Sequence, residues 1–194
     1  MTLSVKYQDS YSRGQLLLRT FFGWLYIAIP HFFLLLFIGI WGAILQFVAW
    51  WVVLFTGKYP QGWFEFQVKL QKWGLRVSAQ LYNLTDEGAS FGLDGTSEST
   101  SLEIPYPETL SRGKLLLRTF LGIFYLYIPH LFLLYFRLIG AGCVMFVAWW
   151  IVLFTGSYPA NMHGFVLGTL RWMIRFQLYS SFMTDDYPPF SGKE

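Results

Sequence analysis

Ser12-Arg13-Gly14-Gln15-Leu16-Leu17-Leu18-Arg19-Thr20-Phe21 returns as Ser111-Arg112-Gly113-Lys114-Leu115-Leu116-Leu117-Arg118-Thr119-Phe120. Phe47-Val48-Ala49-Trp50-Trp51-Val52-Val53-Leu54-Phe55-Thr56-Gly57-Lys58-Tyr59-Pro60 returns as Phe146 to Pro159 with two changes. The offset is a constant 99 residues from Ser12 to Glu87, without a gap, and about half the aligned positions are identical. A duplicated apolar unit defines the architecture before any element is assigned.

The chain has 194 residues, 55% hydrophobic and 21% aromatic, which places it among membrane proteins rather than soluble domains. No residue between Arg19 and Lys58 carries a formal charge, and between Arg118 and Arg171 only Arg137 does. Such runs exceed what one bilayer crossing requires. The net charge of +3 is unevenly distributed: residues 89–108 hold Asp94, Glu98, Glu103 and Glu108 and no base, so the rest of the chain is strongly basic. Cys143, the single cysteine, lies in an apolar run, which excludes an internal disulfide and implies a buried packing residue.

Residues 20 to 57 as one helix would measure roughly 57 Å, nearly twice the hydrocarbon thickness of about 30 Å. Two short spans are therefore expected in each copy, with turns at Gly39-Ile40-Trp41-Gly42 and at Arg137 to Gly142. Both copies keep the same basic entry and exit, so the positive-inside bias calls for an even number of crossings per unit. That number is two for a transmembrane hairpin, or none for a re-entrant or interfacial wedge. Under the hairpin reading Arg137 sits at the far interface, and the units are parallel repeats about a pseudo-two-fold axis along the membrane normal.

Thr-Gly-x-Tyr-Pro closes each apolar run, with Gly57 and Gly156 suited to a left-handed C-terminal cap. An amphipathic interfacial helix is expected next, with Trp63, Trp73, Lys69 and Lys72 in the first copy and Trp172 and Arg171 in the second facing lipid. The predicted organisation is a polar N-terminal tail (1–11), membrane repeat 1 (12–88), a flexible acidic linker (89–108), membrane repeat 2 (109–190) and a short C-terminal tail (191–194). The fold class is all-α.

Leu54 to Pro60 and Leu153 to Pro159, then Arg171-Trp172-x-x-Arg175 and Thr184-Asp185-Asp186-Tyr187-Pro188-Pro189-Phe190, resemble the bacterial membrane-protein family defined by domain of unknown function 4389, in two tandem copies. The second copy fits better: the first has Lys72-Trp73-Gly74-Leu75-Arg76 and ends Gly88-Ala89-Ser90-Phe91. The resemblance implies a multi-pass protein of the bacterial cytoplasmic (inner) membrane and assigns no activity.

Several repeated pairs are candidate sites. His31 and His130 follow Pro30 and Pro129, and paired intramembrane histidines can ligate haem or a chlorophyll-type pigment. The structural alternative is that they bond carbonyls freed by the prolines. Arg19 and Arg118 recur with Asp86 and Asp185, a pairing able to lock the interfacial helix to the hairpin or to form a proton or ion path. The alternative is snorkelling arginines and solvated aspartates. Arg76 recurs as Arg175. Tyr59 and Tyr158 beside the helix ends fit an aromatic belt.

No phosphate loop, metal-ligand cluster or catalytic triad pattern is visible, and the apolar runs contain no Asp or Glu. The expected function is a non-enzymatic membrane scaffold or accessory subunit with the termini and linker on the cytoplasmic side. Its expected partners are membrane lipids and a larger complex or a homo-oligomer, and nucleic acid is not expected. The second reading is a small lipid-handling or transport protein working at the pseudo-dyad.

Overall fold

The computed structural model describes residues 1–193. Four helices and one two-stranded sheet make up the chain in the order β1 (Thr2–Val5), α1 (Arg13–Thr56), α2 (Gln61–Leu81), β2 (Thr100–Glu103), α3 (Arg112–Thr155) and α4 (Ala160–Ser180). α1 and α3 are each 44 residues long and apolar enough to cross a membrane.

The expected turn at Gly39 to Gly42 does not exist, and neither does its counterpart at residues 137–142. Both stretches are uninterrupted helix. Gly42 is a contact point instead: a Cβ there would stand 3.2 Å from Leu70, and its carbonyl accepts from Gln67 Nε2 at 2.6 Å. The glycine lets α2 approach α1 closely, and that packing compensates for the lower helix propensity of about 1 kcal/mol.

The reversal comes fifteen residues later. Gly57 at φ 72° and Gly156 at φ 75° cap the long helices in the left-handed region, and Pro60 and Pro159 begin the return. α2 then runs back along α1, so Gln67 meets Gly42, Trp73 meets His31, and the segment after α2 reaches Arg19.

Pro30 and Pro129 do not break the long helices. Proline lacks an N–H, so the carbonyl four residues earlier loses its donor. The helix absorbs this by widening: Trp24–Ala28 and Ile123–Tyr127 form a π turn, in which Ile29 N–H bonds Trp24 O and Ile128 N–H bonds Ile123 O.

Positions 99 residues apart make reciprocal contacts. Trp50 Nε1 donates to Thr119 Oγ1 at 2.9 Å, and Trp149 Nε1 donates to Thr20 Oγ1 at 2.8 Å. Tyr11 N–H bonds Gly156 O and Leu110 N–H bonds Gly57 O, both at 2.8 Å. The hydroxyl of Tyr7 donates to Tyr158 O, and that of Tyr106 to Tyr59 O. Each long helix therefore lies with its end beside the other's start. The two are antiparallel, and a two-fold axis that exchanges antiparallel helices is perpendicular to both.

The sheet lies on this axis. β1 and β2 pair antiparallel with Leu3 opposite Leu102 and Thr2 opposite Glu103. The polar tail and flexible linker expected from the sequence are thus corrected to an ordered strand pair. Leu3-x-Val5-x-Tyr7 and Leu102-x-Ile104-x-Tyr106 carry the alternation of a half-buried strand, and the repeat starts about ten residues earlier than Ser12. The linker is held by Glu87, which accepts from Ser97, Ser99 and the N–H of Glu98, by Lys69 on Asp94 at 2.6 Å, and by Arg76 on Gly92 O at 2.7 Å.

Candidate functional site

The most extensive chemical feature is a surface. Exposed large apolar side chains follow one stripe of α1 at helical spacing: Phe21, Leu25, Ile29, Phe32, Leu36, Ile40, Ile44, Phe47, Trp51 and Phe55. The matching stripe of α3 includes Phe120, Phe124, Ile128, Leu131, Tyr135, Ile139, Phe146, Trp150 and Phe154. Phe21 is 64% exposed and Phe55 71%, so the stripe continues for about 50 Å along the helix. The opposite side of α1 is buried at Leu16, Arg19, Ile27, His31, Gly42, Leu45, Ala49 and Val53.

α2 and α4 present a different chemistry. Their exposed positions are Gln61, Gly62, Glu65, Lys69 and Lys72 on α2, and Ala160, Asn161, Gly164 and Gln177 on α4. The residues expected to face lipid there mostly do not. Trp73 is 1% exposed, Trp172 and Arg171 are buried, Trp63 is half-buried, and only Lys69 and Lys72 are open. α2 carries the expected apolar period, but its stripe packs on α1. Tyr59 and Tyr158, assigned to a belt, are likewise buried between elements, whereas Trp51 and Trp150 are exposed. Cys143 is exposed on α3 rather than buried.

His31 and His130 are buried at the centre of each helix pair. Trp73 Nε1 donates to His31 Nδ1 at 2.9 Å, and Trp172 Nε1 donates to His130 Nδ1 at 3.0 Å. An indole nitrogen only donates, so each Nδ1 is unprotonated and the proton of the neutral ring sits on Nε2. His130 Nε2 then donates to the Tyr187 hydroxyl at 3.1 Å, and that hydroxyl donates to Tyr125 O at 2.8 Å.

The ring faces are also covered. Phe91 stacks on His31 with centroids 3.9 Å apart, and Phe190 stacks on His130 at 4.1 Å. These phenylalanines are 99 residues apart, so the divergent endings after residues 87 and 186 keep the one residue that closes the histidine. Neither phenylalanine was legible as a site residue beforehand. The partner of each histidine is a tryptophan of the second helix, not a carbonyl freed by proline.

Arg76, buried on α2, donates to the carbonyls of Ser90 and Gly92 on either side of Phe91. Arg175 donates to Lys193 O at 2.6 Å and Arg171 to Gly192 O at 2.8 Å, which holds the segment after Phe190. Arg137 is not at a hairpin tip. Its guanidinium lies over Phe165 at 4.6 Å and donates to Thr169 Oγ1 at 3.1 Å, against α4.

The Arg and Asp pairs form in both halves. Arg19 meets Asp86 at 2.6 Å and Arg118 meets Asp185 at 2.5 Å, with both arginines buried. The other carboxylate oxygen accepts the N–H of Ser12 or Ser111 at 2.6 Å, and those serines cap the long helices. Each aspartate therefore ties the end of the second helix to the start of the first.

His163, where the first copy has Phe64, packs edge-on against Tyr7 and Tyr158. Burial lowers its pKa, only partly countered by its contact with the Leu84 carbonyl. Burial pushes the Glu87 carboxyl upward, but the donors from Ser99, Ser97 and Glu98 outweigh this and hold it below the usual range. Among the described residues no group of three or more His, Cys, Asp or Glu side chains is placed to hold a metal ion.

Residues 114–192 match the family described as a domain of unknown function (DUF4389), a segment that covers most of α3, all of α4 and the Phe190 ending. No curated protein and no solved structure matches the chain.

Proposed function

We propose that the chain is a non-enzymatic membrane scaffold that lies in one leaflet instead of crossing it, with α1 and α3 flat in the interface and α2, α4 and the sheet on the aqueous side. One observation carries this reading: every exposed large apolar side chain of the four helices belongs to α1 or α3, and the exposed positions of α2 and α4 are polar or glycine apart from Ala160 at the start of α4.

A spanning arrangement is costly for a specific reason. α2 runs alongside α1, so a vertical α1 brings exposed Glu65, Lys69 and Lys72 to bilayer depth, at about 2.5–3.5 kcal/mol for each charge near the centre. Antiparallel long helices that span also place the matched basic starts, Arg13 and Arg112, on opposite sides, against the positive-inside bias. With the two-fold axis along the membrane normal, both starts and both polar helices share one side. This is the interfacial alternative of the sequence reading, with no crossing per unit. Basic flanks near an anionic leaflet add about 1 kcal/mol each.

The scaffold role follows from what is built twice. The Arg and Asp ties, the capped histidines and the reciprocal Trp and Thr bonds all hold helices together, and the polar face is left for a partner subunit. A bacterial inner-membrane location belongs to the same proposal, through the family resemblance.

Depth along α1 tests the orientation. Spin labels on cysteines at Phe21, Ile44 and Phe55, in a Cys143→Ser background in anionic vesicles, are expected to report one shallow depth. A profile that passes from one interface through the centre to the other overturns the in-plane reading. Failure of the protein to float with vesicles overturns membrane association itself.

A further inference from the structure

The two halves do not meet symmetrically everywhere. Where the second half of α1 passes the start of α3, a cavity of about 580 Å³ opens, within the size range of sites for small ligands. Its walls are Phe47, Trp50 and Trp51 from α1, Leu126 and Tyr127 from the π turn of α3, and Phe182 from the turn after α4. Phe47 and Trp51 belong to the exposed stripe, so the cavity is continuous with the apolar face.

The polar side chains of Gln46, Thr119, Arg118 and Ser180 are already engaged, which leaves the Tyr127 hydroxyl and the Trp51 indole N–H as the polar atoms open to a ligand. Gln46 accepts from the Tyr59 hydroxyl at 2.8 Å and donates to Ser181 O. Thr119 accepts from Trp50 Nε1 and donates to Leu115 O. Arg118 is neutralised by Asp185 and donates to the carbonyls of Tyr179 and Thr184. Ser180 donates to Gln177 O. A hydrophilic ligand gains little where most donors and acceptors are satisfied, whereas an apolar one gains contact with aromatic walls.

We propose that this cavity holds an alkyl chain of a membrane lipid, drawn from the leaflet in which the apolar face lies. The assignment rests on the in-plane membrane reading above. The site belongs to one side of the molecule: the positions equivalent to Tyr127, Phe182 and Gln46 are Ala28, Asn83 and Met145, so two aromatic walls and the glutamine tie are missing from the other half. The π turn that places Leu126 and Tyr127 is a local widening of the kind that recurs at functional sites.

Photo-crosslinking of the full chain in vesicles doped with a phospholipid carrying a diazirine on its acyl chain tests the assignment. Adducts mapped by peptide mass spectrometry are expected to concentrate on Leu126, Tyr127 and Phe182. Ala43→Trp at the cavity's edge should lower those adducts fivefold or more, while Gly142→Trp at the equivalent position leaves them unchanged. Tyr127→Ala, which gives this wall the residue of the other half, should lower them as well.

Wild-type adducts spread evenly along both long helices, or full labelling in both Ala43→Trp and Tyr127→Ala, overturn the groove while flotation keeps the membrane reading intact. A wild-type protein that does not float overturns both.

Discussion

Leu3 and Leu102 face each other across the two-stranded sheet, and they are the same position of the repeat, 99 residues apart. A residue opposite its own equivalent lies on the two-fold axis. The strand pair thus has the geometry of a symmetric dimer contact made within one chain. Both leucines are buried in the same core as Tyr59, Tyr158, Val53 and Val152.

That pairing is open to direct test. Ser4 and Ser101 are register partners with exposed side chains, and paired strand positions fall within the Cα separation that a disulfide tolerates. Ser4→Cys with Ser101→Cys, in a Cys143→Ser background, is expected to oxidise to an internal crosslink visible as a gel shift. Ser4→Cys with Thr96→Cys should not.

Removing Asp185 strands the Arg118 guanidinium and takes away the acceptor for the Ser111 N–H. Loss of one member of a buried pair costs about 3 kcal/mol. Asp185→Ala is expected to lower the melting temperature in mild detergent by roughly 6–12 °C for a chain of this size. Asp186→Ala, next in sequence and exposed, should stay within about 0.5 kcal/mol of the parent.

His130→Leu removes the acceptor of the Trp172 indole and the donor to Tyr187, and His31→Leu removes the acceptor of the Trp73 indole and the hydrogen bond to the Ala89 backbone. Each unsatisfied buried group costs about 1–3 kcal/mol. Both variants are expected to melt below the parent, and the purified parent should show no Soret or chlorin absorption band.

Acid should weaken the fold in two stages. His163 has its pKa lowered from 6.5 by burial, so below about pH 6.5 the unfolded chain takes up a proton that the folded one refuses, and stability falls as pH falls. Glu87 is held below 4.5, so its contribution is complete above that value and is lost on further acidification. Denaturation midpoints between pH 8 and 3 should show both declines. His163→Gln should reduce the upper one, to which the buried His31 and His130 contribute in the same direction, and Glu87→Gln the lower one.

The sequence by itself determined the duplication, the apolar character of two long segments and the left-handed glycine caps at Gly57 and Gly156. Each of these follows from spacing or local conformation: a repeat is visible as identity, an uncharged run as hydropathy, and a cap needs a positive φ. That Arg19 and Arg118 are buried on Asp86 and Asp185 rather than reaching for water came from the fold.

Only the tertiary structure decided what the apolar segments do. A glycine reads the same whether it turns the chain or admits a neighbouring helix, and Gly42 does the second. An apolar stripe reads the same whether it meets lipid or protein, and Trp73 and Trp172 turned out to bind histidines while Phe21 and Phe55 stayed open. The antiparallel placement of α1 and α3 arises from contacts between residues far apart in the chain, such as Trp50 with Thr119. It sets the direction of the two-fold axis, which charge flanks along one sequence do not encode.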